Sequence, residues 1–206
     1  MNCWAIVPVK PLVQAKSRLA GVLSGPERAR LMLALFRRTV DVLVAVEALS
    51  RVLVVSADPI IGKWARIGGA DFLLESDAPG LNCSLGRAIR FTVNAGAEGV
   101  LIVPGDLPQL NGASVAALLA AVGQPPAVGI VPDHHHTGTN GLLLIPPTVI
   151  QPAFGPDSLA RHCAAAEAVK AQRILWEDSL WGQDVDFPED LGLVEPDLWQ
   201  NKSSLD

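Results

Sequence analysis

Short apolar runs alternate with helix-period segments along almost the whole chain, a rhythm that few folds accept. Cys3–Val9 reads as a buried strand, and Ser24-Gly25-Pro26-Glu27 then opens a helix. Proline sits there in the first turn, where its missing N–H costs little. Leu31, Leu35, Val42 and Val46 keep near one face of that helix to about Leu49. Further strands are expected at Val52–Ser56, Asp71–Glu75, Val100–Pro104, Ala127–Val131, Leu142–Ile145 and Arg173–Trp176. Helices are expected at Pro59–Gly68, Cys83–Ala97, Gly112–Val122 and Ser158–Ala171. Val185–Phe187 is the last pattern, followed by a short helix started by Pro188. Strand and helix alternating at this spacing predict an α/β fold with a mostly parallel sheet covered on both faces. Right-handed crossovers then gather the loops after the strands along one edge, where open α/β sheets bind ligands. With no internal repeat and no dividing linker, one domain is expected over residues 1–199, with 200–206 a flexible tail.

Composition removes several alternatives. Charged residues are only 18% of the chain and the net charge is −5, which argues against a general nucleic-acid binder. The longest uncharged stretch runs from Leu107 to Pro132, and its helical part, Ser114 to Val122, would span roughly 14 Å of a hydrocarbon core of ~30 Å. No membrane span is therefore expected, and the charge and prolines of MNCWAIVPVK do not suit a signal peptide. Three cysteines, at positions 3, 83 and 163, give neither CxxC spacing nor a disulfide framework. A reducing, cytoplasmic setting is the expectation. The charge itself is uneven: residues 1–40 hold seven basic side chains and one acid, and the remainder nine basic and twenty acidic. Arg28, Arg30, Arg37 and Arg38 read as the solvated face of a helix.

The chemistry lies after the strands. Pro8-Val9-Lys10-Pro11 and Ala15-Lys16-Ser17-Arg18-Leu19 contain neither GxGxxG nor a Gly-Lys-Ser/Thr phosphate loop. They offer instead three cations within nine residues, which either neutralise a triphosphate or are three solvated charges. Val103-Pro104-Gly105-Asp106 puts a carboxylate directly after an apolar strand, well placed for a hard cation such as Mg²⁺. Asp184 and Asp186 point to one side of an extended segment, either to complete that site or to cap the last helix. Pro79-Gly80-Leu81-Asn82-Cys83-Ser84 suits a nucleobase or ribose. Asp133 to Gly141 is rich in histidine, hydroxyls and glycine, as an anion-cradling loop should be. Phe154-Gly155-Pro156-Asp157-Ser158 opens a helix whose Ser158 either meets an anion or merely caps. Consecutive His134, His135 and His136 cannot easily face one metal ion.

Taken in order, these segments resemble the CofC/FbiD-type guanylyltransferases of coenzyme F420 biosynthesis, over about residues 4 to 192. The motifs carrying the resemblance are Val7-Pro8-Val9-Lys10 with Ala15–Leu19, Gly80-Leu81-Asn82, Pro104–Pro108, Thr137–Asn140, Phe154–Ser158 and Asp184–Leu191. The resemblance implies a Rossmann-like, three-layer α/β/α fold with a mixed, mostly parallel sheet, as in MobA-like and nucleotide-diphospho-sugar transferases. It implies an enzyme that joins GTP to a small phosphorylated three-carbon acid and releases pyrophosphate. Asp106, Asp184 and Asp186 would hold Mg²⁺, and Asp106, Lys16 and Arg18 would be catalytic. Pro8, Val9, Lys10, Leu81 and Asn82 would join Lys16, Arg18 and Asp106 along the nucleotide. Thr137, Thr139, Asn140, Gly155, Ser158 and Cys83 would meet the acceptor. Phe187 stands where the family tends to have threonine. Phosphoenolpyruvate, 2-phospho-L-lactate and 3-phospho-D-glycerate share a carboxylate and a phosphate, and Cys83 with the hydroxyl-rich loop leans towards the last. A homodimer and handover of product to the next transferase are further expectations. The rival readings are a molybdenum-cofactor or sugar-phosphate nucleotidyltransferase and a GTP-binding module without catalysis.

Overall fold

A computed structural model describes residues 1–75 and 80–197. Pro79, Trp199 and the tail expected at 200–206 lie outside the described residues. Among the described residues seven strands form one sheet: β1 (Cys3–Pro8), β2 (Arg51–Ser56), β3 (Asp71–Leu74), β4 (Gly99–Ile102), β5 (Ala127–Pro132), β6 (Thr139–Ile145) and β7 (Gln172–Leu175). Their order across the sheet is β3-β2-β1-β4-β6-β5-β7. Only β6 is reversed: it runs antiparallel to β4 and β5, while the other neighbouring pairs are parallel.

The helices are α1 (Gly25–Val44), α2 (Pro59–Ile67), α3 (Leu81–Asn94), α4 (Gly112–Ala121) and α5 (Ser158–Ala168). The period-2 pleat of β1 sorts its side chains between two cores. Cys3, Ala5 and Val7 pack with Phe36 and Val40 of α1, Ile61 of α2 and Leu118 of α4. Trp4 and Ile6 pack with Leu85 and Ile89 of α3 and Ala166 of α5 on the other face. The three-layer α/β/α arrangement expected from the sequence is therefore present.

The start of α1 is as the sequence predicts. The Glu27 carboxylate accepts from the backbone N–H of Ser24 at 2.7 Å and from its hydroxyl at 2.6 Å, with Pro26 in the first turn. Its end differs: the helix stops at Val44, and Val46 and Leu49 reach the same core from tight turns closed by Val46 N–H to Leu43 O and Leu49 N–H to Val46 O. No glycine or proline marks that stop. β6 begins three residues earlier than its apolar run suggests, because the polar Thr139 and Asn140 are buried with their hydrogen bonds met inside the protein.

Candidate active site

The loop after β1 is held by what it buries. Val9, Leu12, Ala15 and Leu19 are all buried, so the polar residues between them are displayed at fixed positions. Val9 continues the ladder through its N–H to Val55 O at 2.9 Å, and Leu12 N–H donates to Asp58 Oδ2 at 2.9 Å. Asp58 also caps α2 through Ile60 N–H, so one carboxylate ties the loop to that helix. Short 3₁₀ turns at Leu12–Gln14 and Ser17–Leu19 flank Lys16, whose φ of 51° is left-handed. A non-glycine residue adopts that conformation only where its surroundings insist on it.

Here the insistence is ionic. The Lys16 side chain is 3% exposed, and its ammonium donates to Asp106 and, at 3.3 Å, to Asp186. Burial works against the charge, but the two carboxylates outweigh it and hold the lysine pKa above its ordinary value. Arg18, 61% exposed, pairs with the other oxygen of Asp186 and lies 5.1 Å from the centre of the Phe187 ring. Lys10 is exposed at the same cleft, with no ion-pair partner among the described residues.

The acids arrive from two distant parts of the chain. Asp106 follows β4 on a turn where Gly105 is pressed against β1: a Cβ there would sit 3.1 Å from Val9 Cγ2. The C-terminal segment is strapped across the sheet. The Asp178 carboxylate accepts from Leu180 N–H and Trp181 N–H and from the Ser114 hydroxyl, while Trp181 is buried and donates to Asn140 O at 2.8 Å. Gly182 O accepts from Asn140 Nδ2 at 2.8 Å and from His134 N–H at 2.9 Å. Val185 then packs with Leu19, Leu31 and Leu35; of the acids on either side of it, Asp186 lines the cleft and Asp184 does not. Asp190, and neither Asp184 nor Asp186, caps the turn Pro188–Leu193, accepting from Asp186 N–H at 2.9 Å and Phe187 N–H at 2.7 Å. Burial, then repulsion from Asp106 and Asp186, pushes the Asp184 carboxyl above its usual value, so the three acids share one electrostatic environment. Among the described residues no group of three His, Cys, Asp or Glu side chains is arranged to hold a metal ion.

These groups enclose a cleft of about 500 Å³. Of the residues the sequence singled out, it gathers Pro8, Val9, Lys10, Lys16, Arg18, Leu81, Asp106 and Asp186. Gln14, Ala57 and Glu75 also line it, and the sequence reading did not single them out. Asn82 uses its amide differently: it donates to Phe154 O at 3.0 Å and accepts from Phe154 N–H at 2.8 Å, clamping the start of α3 to the segment before α5.

The residues assigned to the acceptor form a second group, outside the lining of the cleft. Leu159 N–H donates to Thr137 O at 3.1 Å, and Ser158 N–H to Gly155 O at 3.1 Å, so the two acceptor segments are stitched together. Gly155 has φ 113°, open to glycine and strained for other residues. Thr139, Asn140 and Ser158 are buried, and Cys83 is exposed in the first turn of α3. The hub between these segments, His162, was missed from sequence. It is fully buried on α5, accepts at Nε2 from Ala153 N–H at 2.9 Å, and therefore carries its proton on Nδ1, 3.0 Å from Thr139 Oγ1. Burial, helped by the Arg161 charge, lowers its pKa to about 4. Its only sequence signal is the i, i+4 register it shares with Ser158 and Ala166. The rings of His134 and His135 touch at a tilt of 41° with centres 3.7 Å apart, and His136 lies 3.9 Å from Glu177.

Comparison with known proteins gives the family and the sheet. A family model described as "Guanylyl transferase CofC like" matches residues 3–195. A phosphoenolpyruvate guanylyltransferase of Rubrobacter xylanophilus is 42% identical over 195 residues, covering 95% of this chain and 94% of that one. A protein of the same name from Conexibacter woesei is 40% identical, covering 93% of this chain and 86% of that one. Among solved structures, a nucleotidyl transferase from Methanothermobacter thermautotroptrophicus superposes with a TM-score of 0.70 at 13% identity, covering 97% of this chain and 98% of that one. At that identity the likeness shows the α/β fold alone. No helix among the described residues is long and apolar enough to cross a membrane.

Proposed function

The chain belongs to the CofC-like guanylyl transferase family, and on that footing we propose that it joins GTP to phosphoenolpyruvate and releases pyrophosphate. The observation that carries this reading is the meeting, in one cleft, of the cations Lys10, Lys16 and Arg18 with the carboxylates Asp106 and Asp186. The sequence alone leaned towards 3-phospho-D-glycerate as acceptor; the names of the relatives at 42% and 40% identity favour phosphoenolpyruvate. The guanylylated phospho-acid would be an intermediate of coenzyme F420 biosynthesis.

In this reaction an acceptor phosphate oxygen forms a bond to the α-phosphorus of GTP as the bond to the bridging oxygen of the β-phosphate breaks. Pyrophosphate carries away the electron pair. The incoming phosphate is already an anion, so no general base is required. The task left to the protein is to align two polyanions and offset their repulsion. Lys10 and Arg18, reaching the open side of the cleft, meet the β- and γ-phosphates. Lys16 is held by Asp106 and Asp186 at the point where charge accumulates on the leaving oxygen.

The donor set also suits Mg²⁺. All three candidate ligands, Asp106, Asp184 and Asp186, are hard carboxylates, and burial, with repulsion from Asp106 and Asp186 added to it, raises the pKa of Asp184. Mg²⁺ commonly takes one or two carboxylates and completes its shell with substrate phosphates and water, so a preassembled protein cage is not required. When bound, the ion supplies charge neutralisation on the reacting phosphates. The test is pyrophosphate release from GTP, ATP and CTP with each of the three phospho-acids, in Mg²⁺. Release with GTP and phosphoenolpyruvate is expected; release only with a phospho-sugar, or with no pairing at all, refutes the proposal.

A further inference from the structure

We propose that Glu75 reads the base: its carboxylate accepts hydrogen bonds from N1–H and the 2-amino group of guanine and so selects GTP. This rests on the transferase reading above and adds to it the residue that decides which nucleotide enters.

The cleft has two chemically different ends. One holds the cations and the Asp106 and Asp186 carboxylates, at the tips of β1 and β4. The other is formed at the tips of β2 and β3 and the first turn of α3, by Ala57, Glu75, Gly80 and Leu81. In the sheet β3 lies two strands from β1, so the far end stands roughly 10 Å from the phosphate loop at ~4.8 Å per strand. A ribose fits between. Small residues at Ala57 and Gly80 leave room for a flat ring, and the part-exposed Leu81 side chain offers an apolar surface to its face.

Glu75 is fixed and unsatisfied at that end. Its N–H donates to Ser56 O at 3.0 Å, which extends the β2–β3 ladder by one residue and sets the direction of the side chain. Its Oε1 is shut away from solvent, yet it has no hydrogen-bond partner, and no cation pairs with the carboxylate among the described residues. A buried polar atom without a partner is uncommon and costly, and a ligand donor would relieve it. Among the common bases guanine alone presents two adjacent donors, N1–H and the 2-amino group, spaced for one carboxylate to accept both. Adenine and cytosine present a ring-nitrogen acceptor beside their amino group, which a carboxylate repels. A site built to pair with a donor discriminates strongly against an analogue that lacks it.

Inosine triphosphate keeps N1–H and lacks the 2-amino group, so it isolates half of the contact without altering the protein. kcat/KM for GTP and inosine triphosphate, and calorimetric dissociation constants for GDP and IDP, are to be compared in the wild type, Glu75→Gln and Glu75→Ala. The wild type should prefer the guanine nucleotide by about ten- to a hundredfold, the worth of one hydrogen bond to a charged group. Both variants should bring that preference to within about threefold, and unchanged thermal unfolding of Glu75→Gln shows that the fold is intact. A wild-type preference below about threefold, or a Glu75→Gln variant that keeps the full preference, overturns the proposal. Selective binding of GDP over IDP without pyrophosphate release from any pairing supports the base contact while sinking the transferase reading. Efficient transfer from GTP and inosine triphosphate alike sinks the base contact alone.

Discussion

Acidification should weaken the fold through His162. The ring is fully buried and uses Nε2 to accept from Ala153 N–H, so a second proton would set a donor against a donor. Burial first, and then the Arg161 charge, lowers its pKa from the ordinary 6.5 to about 4. The sign follows from linkage: between those values the unfolded chain holds the proton and the native state does not, so stability falls as pH drops. The contribution is close to complete above pH 6.5 and is progressively lost down to about pH 4. Integrated between pH 7 and pH 5, a shift of that size removes about 2 kcal/mol of stability. Other groups titrate in the same window, so a difference between two proteins is the useful quantity. His162→Gln can keep an acceptor for Ala153 N–H and cannot titrate. Urea unfolding of wild type and variant at pH 7 and pH 5 should show the variant less stable at pH 7 and the gap narrowing by about 2 kcal/mol at pH 5. If both proteins lose the same stability between the two pH values, the histidine is not buried neutral and the hub drawn between Thr139 and Ala153 is wrong.

Three other substitutions probe separate parts of the account. Asp106→Asn should lower turnover on the order of a hundredfold or more while leaving thermal unfolding close to wild type, since Lys16 keeps Asp186 at 3.3 Å; normal turnover at saturating Mg²⁺ would contradict the role given to Asp106. Asn82→Ala removes both hydrogen bonds to the Phe154 backbone, so KM for the phospho-acid should rise on the order of tenfold with a smaller change in kcat, measured by pyrophosphate release. Gly141→Ala would put a Cβ 2.8 Å from Val131 Cγ2 and 2.9 Å from Trp181 Cζ2, and chemical denaturation should find it less stable by about 1–3 kcal/mol.

Much of the fold was legible because it rests on local rules. The apolar runs of β1, β2 and β5 and the Ser24-Pro26-Glu27 helix start carry their signals within a few residues. Where tertiary structure supplies the partner, the local signal misleads. Thr139 and Asn140 look like loop because they are polar, yet they are strand because His162 and Gly182 answer them. The site follows the same division. Asp106 could be named from its place directly after an apolar strand, whereas Lys16, Arg18 and Asp186 stood open between site and surface roles until the family resemblance singled them out. That Lys16 would be buried between two of the acids could not, because Asp186 is 170 residues away. Neither could the double clamp of Asn82 on Phe154, which joins α3 to a segment 72 residues on. Glu75 gives the least warning: one acid at the end of a short edge strand reads as an ordinary surface charge until its buried oxygen is found without a donor among the described residues.

The central claim is a single displacement at the α-phosphorus of GTP, made by the acceptor phosphate with no covalent enzyme intermediate. Chirally labelled GTP α-thiotriphosphate, incubated with phosphoenolpyruvate and Mg²⁺, tests it most directly. One in-line step predicts a guanylylated product with inverted configuration at the α-phosphorus, formed in step with pyrophosphate. Retention of configuration, or label trapped on the protein, would contradict it.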